Sequence, residues 1–135
     1  TRPRRRAKLE QAQLASARRQ FCLRREWLEA HFLSLASGSG RPRGLAWADC
    51  DFDDGVAFAR DRVSGELRAL VGVTISFAAI EGGGMEDVEA VDDLRAATAV
   101  FRFDGNHWTT DGRAVFNLNP AETIRWYQNE LEIVE

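Results

Sequence analysis

From Ala7 to Leu35 the chain has no Gly or Pro and is built largely from Ala, Leu, Gln, Glu and Arg, residues that a helix accepts at little cost. At 100° per residue, Leu14, Ala17, Phe21, Leu28, Phe32 and Leu35 fall in one stripe, which predicts a helix lying on a sheet. Leu23, Trp27 and Ala30 recur at i, i+4 and i+7 on roughly the opposite side, so a second apolar face needs a cover of its own. That cover is expected to be a curled sheet edge, a loop of the same chain such as Glu81 to Asp93, or another chain. A helix of this span is about 43 Å long, longer than a compact domain of this size is wide. It is expected to stop at Ser37-Gly38-Ser39-Gly40-Arg41-Pro42, where glycine and proline break helical geometry.

The period then changes from 3.6 to two. Leu67, Ala69, Val71, Val73, Ile75 and Phe77 alternate without interruption against a mixed face of Arg68, Leu70, Gly72, Thr74 and Ser76. This predicts a long, half-buried strand in the middle of a sheet, bent at Gly72. Leu45 to Phe52, Val56 to Arg60 and Arg95 to Phe103 read as further strands. Asp104-Gly105-Asn106 has hairpin-turn composition, and His107 to Thr110 and Arg113 to Leu118 form either two short strands or one strand with a bulge. Glu81 to Asp93 reads as an acidic, glycine-rich connection with one helical turn near Met85 to Val91. A last helix opens with Asn119 as N-cap, Pro120 in the first helical position and Glu122 in the third, and Ile124, Tyr127 and Leu131 mark its apolar face.

The expected fold class is α+β. A long N-terminal helix packs on a curved, mostly antiparallel sheet of four to six strands, with a short C-terminal helix at one edge. Residues 1–6 form a flexible basic leader and residues 7–135 a single domain, in keeping with a length of 135 residues.

Charge is unevenly placed. Residues 1–33 carry a net charge of +6 and residues 34–135 a net charge of −9, for a total of −3. A basic arm on an acidic body can pair with itself, with another copy or with an anionic partner. Nothing approaches the ~20 apolar residues that span a bilayer, and the Arg-rich start lacks the apolar run of a secretory leader, so a cytoplasmic protein without membrane contact is expected. Cys22 and Cys50 are too few for a disulfide framework and are expected to be reduced and buried.

Candidate chemistry is sparse. Asp49, Asp51, Asp53 and Asp54 offer hard oxygen ligands, yet with Asp49 as first position a calcium loop would need Gly where Asp54 stands and Glu where Arg60 stands. A solvated turn is the plainer account, and no metal or cofactor is expected. Glu81-Gly82-Gly83-Gly84 lacks the Gly-Lys-Ser/Thr of a phosphate loop, and its carboxylates would repel phosphate. Arg4-Arg5-Arg6, Arg18-Arg19 and Arg24-Arg25 can meet phosphates without forming a base-reading motif, which makes weak nucleic-acid binding a third-ranked reading. The second-ranked reading is a ligand or enzyme pocket within the sheet, with His107, Trp108, Asp111 and Asn117 at its mouth. The leading expectation is a non-enzymatic interaction or scaffold domain that forms a homodimer, or meets a protein partner, through Leu23, Trp27 and Ala30.

Overall fold

The computed structural model describes residues 3–37, 45–79 and 94–134. Helix α1 (Pro3–Ser37) is followed by strands β1 (Leu45–Phe52), β2 (Ala57–Asp61), β3 (Leu67–Ala79), β4 (Leu94–Phe103), β5 (Trp108–Thr109) and β6 (Ala114–Phe116). Helix α2 (Pro120–Trp126) and strand β7 (Leu131–Val134) complete the order. The α+β reading holds: a long N-terminal helix, an antiparallel sheet and a short C-terminal helix.

The sheet has seven strands rather than four to six. The higher count arises because two long strands are each broken into halves. β1 and β2 both pair with the same edge of β3, Phe52 opposite Val73 and Ala57 opposite Leu70. Residues 53–56 therefore span a gap that residues 71–72 fill on β3. β5 and β6 share the outer edge of β4 in the same manner, Thr109 opposite Arg102 and Ala114 opposite Ala99. Extra residues on an outer strand bend it and sharpen the local twist. The Asp53 amide still donates to the Gly72 carbonyl at 2.8 Å, and the Thr110 hydroxyl donates to the Val100 carbonyl at 2.8 Å, so each break is stitched to the inner strand. β3, flanked by β1 and β2 on one side and β4 on the other, is central. His107 to Thr110 and Arg113 to Leu118 thus contain two short strands.

α1 covers one face of this sheet. Ala17, Phe21, Leu28 and Phe32 are fully buried against Val71, Ile75, Ala99, Phe101 and Trp108. The Phe21 ring meets Phe58, Phe101 and Trp108 edge-on at 5.2–5.9 Å between centroids, an arrangement that aromatic quadrupoles favour. Trp108 donates its indole N–H to the Ala17 carbonyl at 2.8 Å, which lets its polar atom be buried without penalty. Leu14 and Leu35 lie at the margins of the stripe, half-buried and exposed respectively.

The opposite face carries a smaller core of Ala59, Leu70, Val100 and Ile124 under α2. The Thr98 hydroxyl donates to the Leu118 carbonyl at 2.7 Å and lies 3.2 Å from the Thr123 hydroxyl, joining β4 to α2 through buried oxygens. The capping box forms as expected: Asn119 accepts from the Glu122 amide at 2.8 Å, and Glu122 accepts from the Asn119 amide at 2.9 Å.

Several expectations need correction. α1 begins at Pro3, so four of the six leader residues belong to the helix. α2 ends at Trp126, and Leu131 lies not on its apolar face but in β7, where it faces Asp61. Leu131 keeps its apolar neighbours, packing on the core beneath α2. A longer helix would leave the outer edge of β2 open, whereas pairing with β7 satisfies it. Arg62 fixes the turn between them: its side chain donates to the Gln128 carbonyl and its amide to that of Glu130, both at 2.8 Å. Cys22 is exposed rather than buried, and Cys50 is half-buried; both are free. The expected turn at Met85 to Val91 lies outside the described residues.

Candidate functional site: the outer face of the long helix

The orientation of α1 is set by its inner face and by one arginine. Arg25 pairs with Glu29 at 2.8 Å and points its guanidinium at the β1–β2 break, where it donates to the carbonyls of Asp53, Asp54 and Gly55. Those carbonyls lack ladder partners because the chain bulges there, and a cation with several donors is well suited to gather them. Arg18 adds a second tie, donating to the Val134 carbonyl at 3.3 Å while lying 5.2 Å from the centre of the Phe58 ring. Both ties leave the side of α1 opposite the sheet in solvent.

On that side Leu23 is 85% exposed and Trp27 52% exposed, and Ala30 is exposed as well. Trp27 is held in place. Its ring stacks on His31 with centroids 5.0 Å apart and planes 17° apart, and the Arg24 guanidinium sits 5.0 Å from its centre on the same helix. Ordered neighbours at i−3 and i+4 reduce the rotamer freedom that the tryptophan would lose on being covered. The i, i+4 spacing of Trp27 and His31 was the available signal for this stack, and sequence reasoning did not use it. The Arg25 anchor had no comparable signal, since its three acceptors come from a break whose position depends on strand register.

The four residues of the pocket reading are dispersed in role. Trp108 is buried in the core beneath α1. His107 is exposed and lies 3.1 Å from the Asp104 carboxylate. Asp111 pairs with Arg102 at 3.5 Å on the surface. Asn117 takes a left-handed backbone conformation, φ 69°, and its amide donates to the Ala96 carbonyl at 2.8 Å. None of the four lines any of three clefts formed by described residues. One cleft, about 440 Å³, opens between α1 and two turns and is lined by Gln13, Leu14, Gln20, Arg60, Glu66 and Phe103 among others. A second of about 60 Å³ lies beside α2, and a third of about 360 Å³ sits at Arg18, Phe58 and Ile133.

The aspartates at the β1–β2 break are solvated. Asp49, Asp51, Asp53 and Asp54 are exposed, and among the described residues no three His, Cys, Asp or Glu side chains converge as metal ligands would. Their charge acts on a neighbour instead: burial first, then Asp49, Asp51 and Glu29, push the Cys50 thiol up to about 12. Such a thiol is protonated and poorly nucleophilic. Asp61 and Asp104 are held below the usual carboxylate range, chiefly because each accepts backbone amides of its own turn. Among the described residues no helix is long and apolar enough to cross a membrane.

Comparison with protein-family models, with characterised proteins and with solved structures returns no match.

Proposed function

We propose that this domain is a protein-interaction module that associates with a second copy of itself through the outer face of α1. The observation that carries the reading is the exposure of Leu23 and Trp27 on a helix whose other face is buried on the sheet and held there by Arg18 and Arg25. Large apolar side chains side by side on a regular element form the kind of patch that marks contact surfaces, and tryptophan is prominent among interface anchors. Most of a leucine and half of a tryptophan amount to roughly 250 Å² of apolar surface per copy. Covering both copies contributes about 12 kcal/mol at ~25 cal/mol per Å². Association costs ~4–15 kcal/mol, so the balance favours a weak, concentration-dependent dimer rather than an obligate one.

Light scattering of the parent chain from about 1 to 100 µM tests the reading, since a weak pair dissociates across the micromolar range. A mass that rises towards twice that of the chain supports it; a monomer throughout overturns it. Trp27→Glu separates assembly from folding. It is expected to give a monomer with near-native melting, because the side chain it replaces contributes little to the core. General destabilisation without a change of mass would place the importance of Trp27 within the chain instead.

A further inference from the structure

The outer face of α1 has a symmetry of its own. Leu23 is flanked by Arg19 four residues before it and Glu26 three residues after it, all three exposed. On a helical projection Arg19 and Glu26 lie on one flank of Leu23, about 10 Å apart along the axis, too far to pair with each other. Neither has an ion-pair partner among the described residues. Trp27 and Gln20 lie on the other flank. Resting on the reading that α1 self-associates, we infer that two copies pack antiparallel about a twofold axis beside Leu23, with Arg19 of each copy against Glu26 of the other.

The argument is geometric. An antiparallel twofold keeps each flank facing the same flank of the second copy and reverses height about the axis. With the axis at Leu23, the two Leu23 side chains meet at the centre. Arg19 and Glu26 are nearly equidistant from that axis on opposite sides, so they come level twice, giving two ion pairs from one interface. Ala30 falls level with Ser16 of the second copy, and two small side chains let the axes approach. Trp27 covers the stretch between Ser16 and Gln20. A parallel pairing breaks this match: Arg19 then faces the opposite flank, where Trp27 and Gln20 lie, and the charges stay unpaired.

Cys22 reports the arrangement without any change to the interface. It is exposed on the flank of Arg19 and Glu26, next to the axis, whereas Cys50 is half-buried. With helix axes 8–10 Å apart, the two Cys22 side chains lie about 10 Å from each other, too far for a disulfide and within reach of a short bismaleimide. A thiol moved to position 34, by Cys22→Ser with Ser34→Cys, would sit about 35 Å from its twin in the antiparallel arrangement, at 1.5 Å rise per residue.

The experiment combines crosslinking with charge exchange, at about 100 µM protein and with light scattering in parallel. The arrangement requires efficient crosslinking of the parent through Cys22 and none of the position-34 thiol. Arg19→Glu and Glu26→Arg should each weaken association about tenfold, since both pairs turn repulsive, and the double exchange should restore it to within about threefold. A dimer by mass that fails to crosslink at Cys22, crosslinks equally at position 34, or ignores the charge exchange overturns the antiparallel arrangement while leaving self-association standing. A parent that stays monomeric overturns both.

Discussion

Gly112 offers the sharpest test of how the sheet receives α1. It lies in the break between β5 and β6 with φ +78°, and a Cβ there would fall 2.7 Å from Leu35 Cβ, 2.9 Å from the Ala36 amide nitrogen and 3.1 Å from the Leu35 carbonyl carbon. Two separate costs follow for Gly112→Ala. The left-handed backbone costs an L-residue ~1–2 kcal/mol. The contacts cost more, because two of the three atoms are helix backbone and cannot swing aside; overpacking of this kind typically costs ~1–3 kcal/mol. The lower entropy of an unfolded alanine offsets ~0.4–1 kcal/mol of this, and the net cost comes to about 2–4 kcal/mol. Gly65 supplies the control, with φ +76° and nothing within 4 Å of the added carbon. Gly65→Ala should lose only the backbone contribution, about 1 kcal/mol. Urea denaturation followed by tryptophan fluorescence measures both. In melting temperature, 1 kcal/mol corresponds to roughly 3–4 °C at this size, so the variants should separate by several degrees. If the two fall within about 0.5 kcal/mol of each other, the docking of α1 on this break is wrong, because backbone strain alone cannot distinguish them.

Three further outcomes are expected. Val73 is 3% exposed and paired on both sides, with Phe52 and with Ala97, so Val73→Asp should cost at least ~3 kcal/mol by burying an unpaired charge; melting within a degree or two of the parent would refute its central position. At pH 8 a thiol-reactive disulfide reagent should label Cys22 and reach Cys50 only in denaturant, given a thiol pushed up to about 12; two equivalents reacting at one rate in the folded protein would contradict the burial. Asp61 and Asp104 have folded-state values depressed below 3.8, so their stabilising contribution is complete above that value and is lost as pH falls through the lower folded-state values. Replacing both by Asn should therefore narrow the difference in urea midpoint between neutral pH and pH 2, and an unchanged acid limb would refute the turn hydrogen bonds as its source.

Much of the scaffold was legible because it rests on local rules. The 3.6 period of α1, the unbroken alternation of β3 and the cap at Asn119 each follow from neighbours a few residues apart, and each appears where its pattern lies. Leu131 shows where such reasoning stops. Its spacing from Ile124 suits a helix as well as it suits a strand, and the choice went to the strand because β2 had an open edge to fill. The pocket residues fared differently for the same reason. His107 and Trp108 are adjacent in sequence, yet the pleat sends Trp108 into the core and leaves His107 at the surface.

The amino-acid sequence by itself determined the fold class, the buried stripe of α1 and the presence of a second apolar stripe, since these depend only on side-chain type and the period of the backbone. Tertiary structure decided what each stripe meets. The breaks opposite Gly72 and beside Thr110 depend on register between strands far apart in the chain, and they alone create the carbonyl cluster that Arg25 grips and the gap that receives Leu35 and Ala36. Those long-range contacts bury Phe21 as its stripe predicts and leave Leu23 and Trp27 in water, where the sequence had left the cover of the second stripe open.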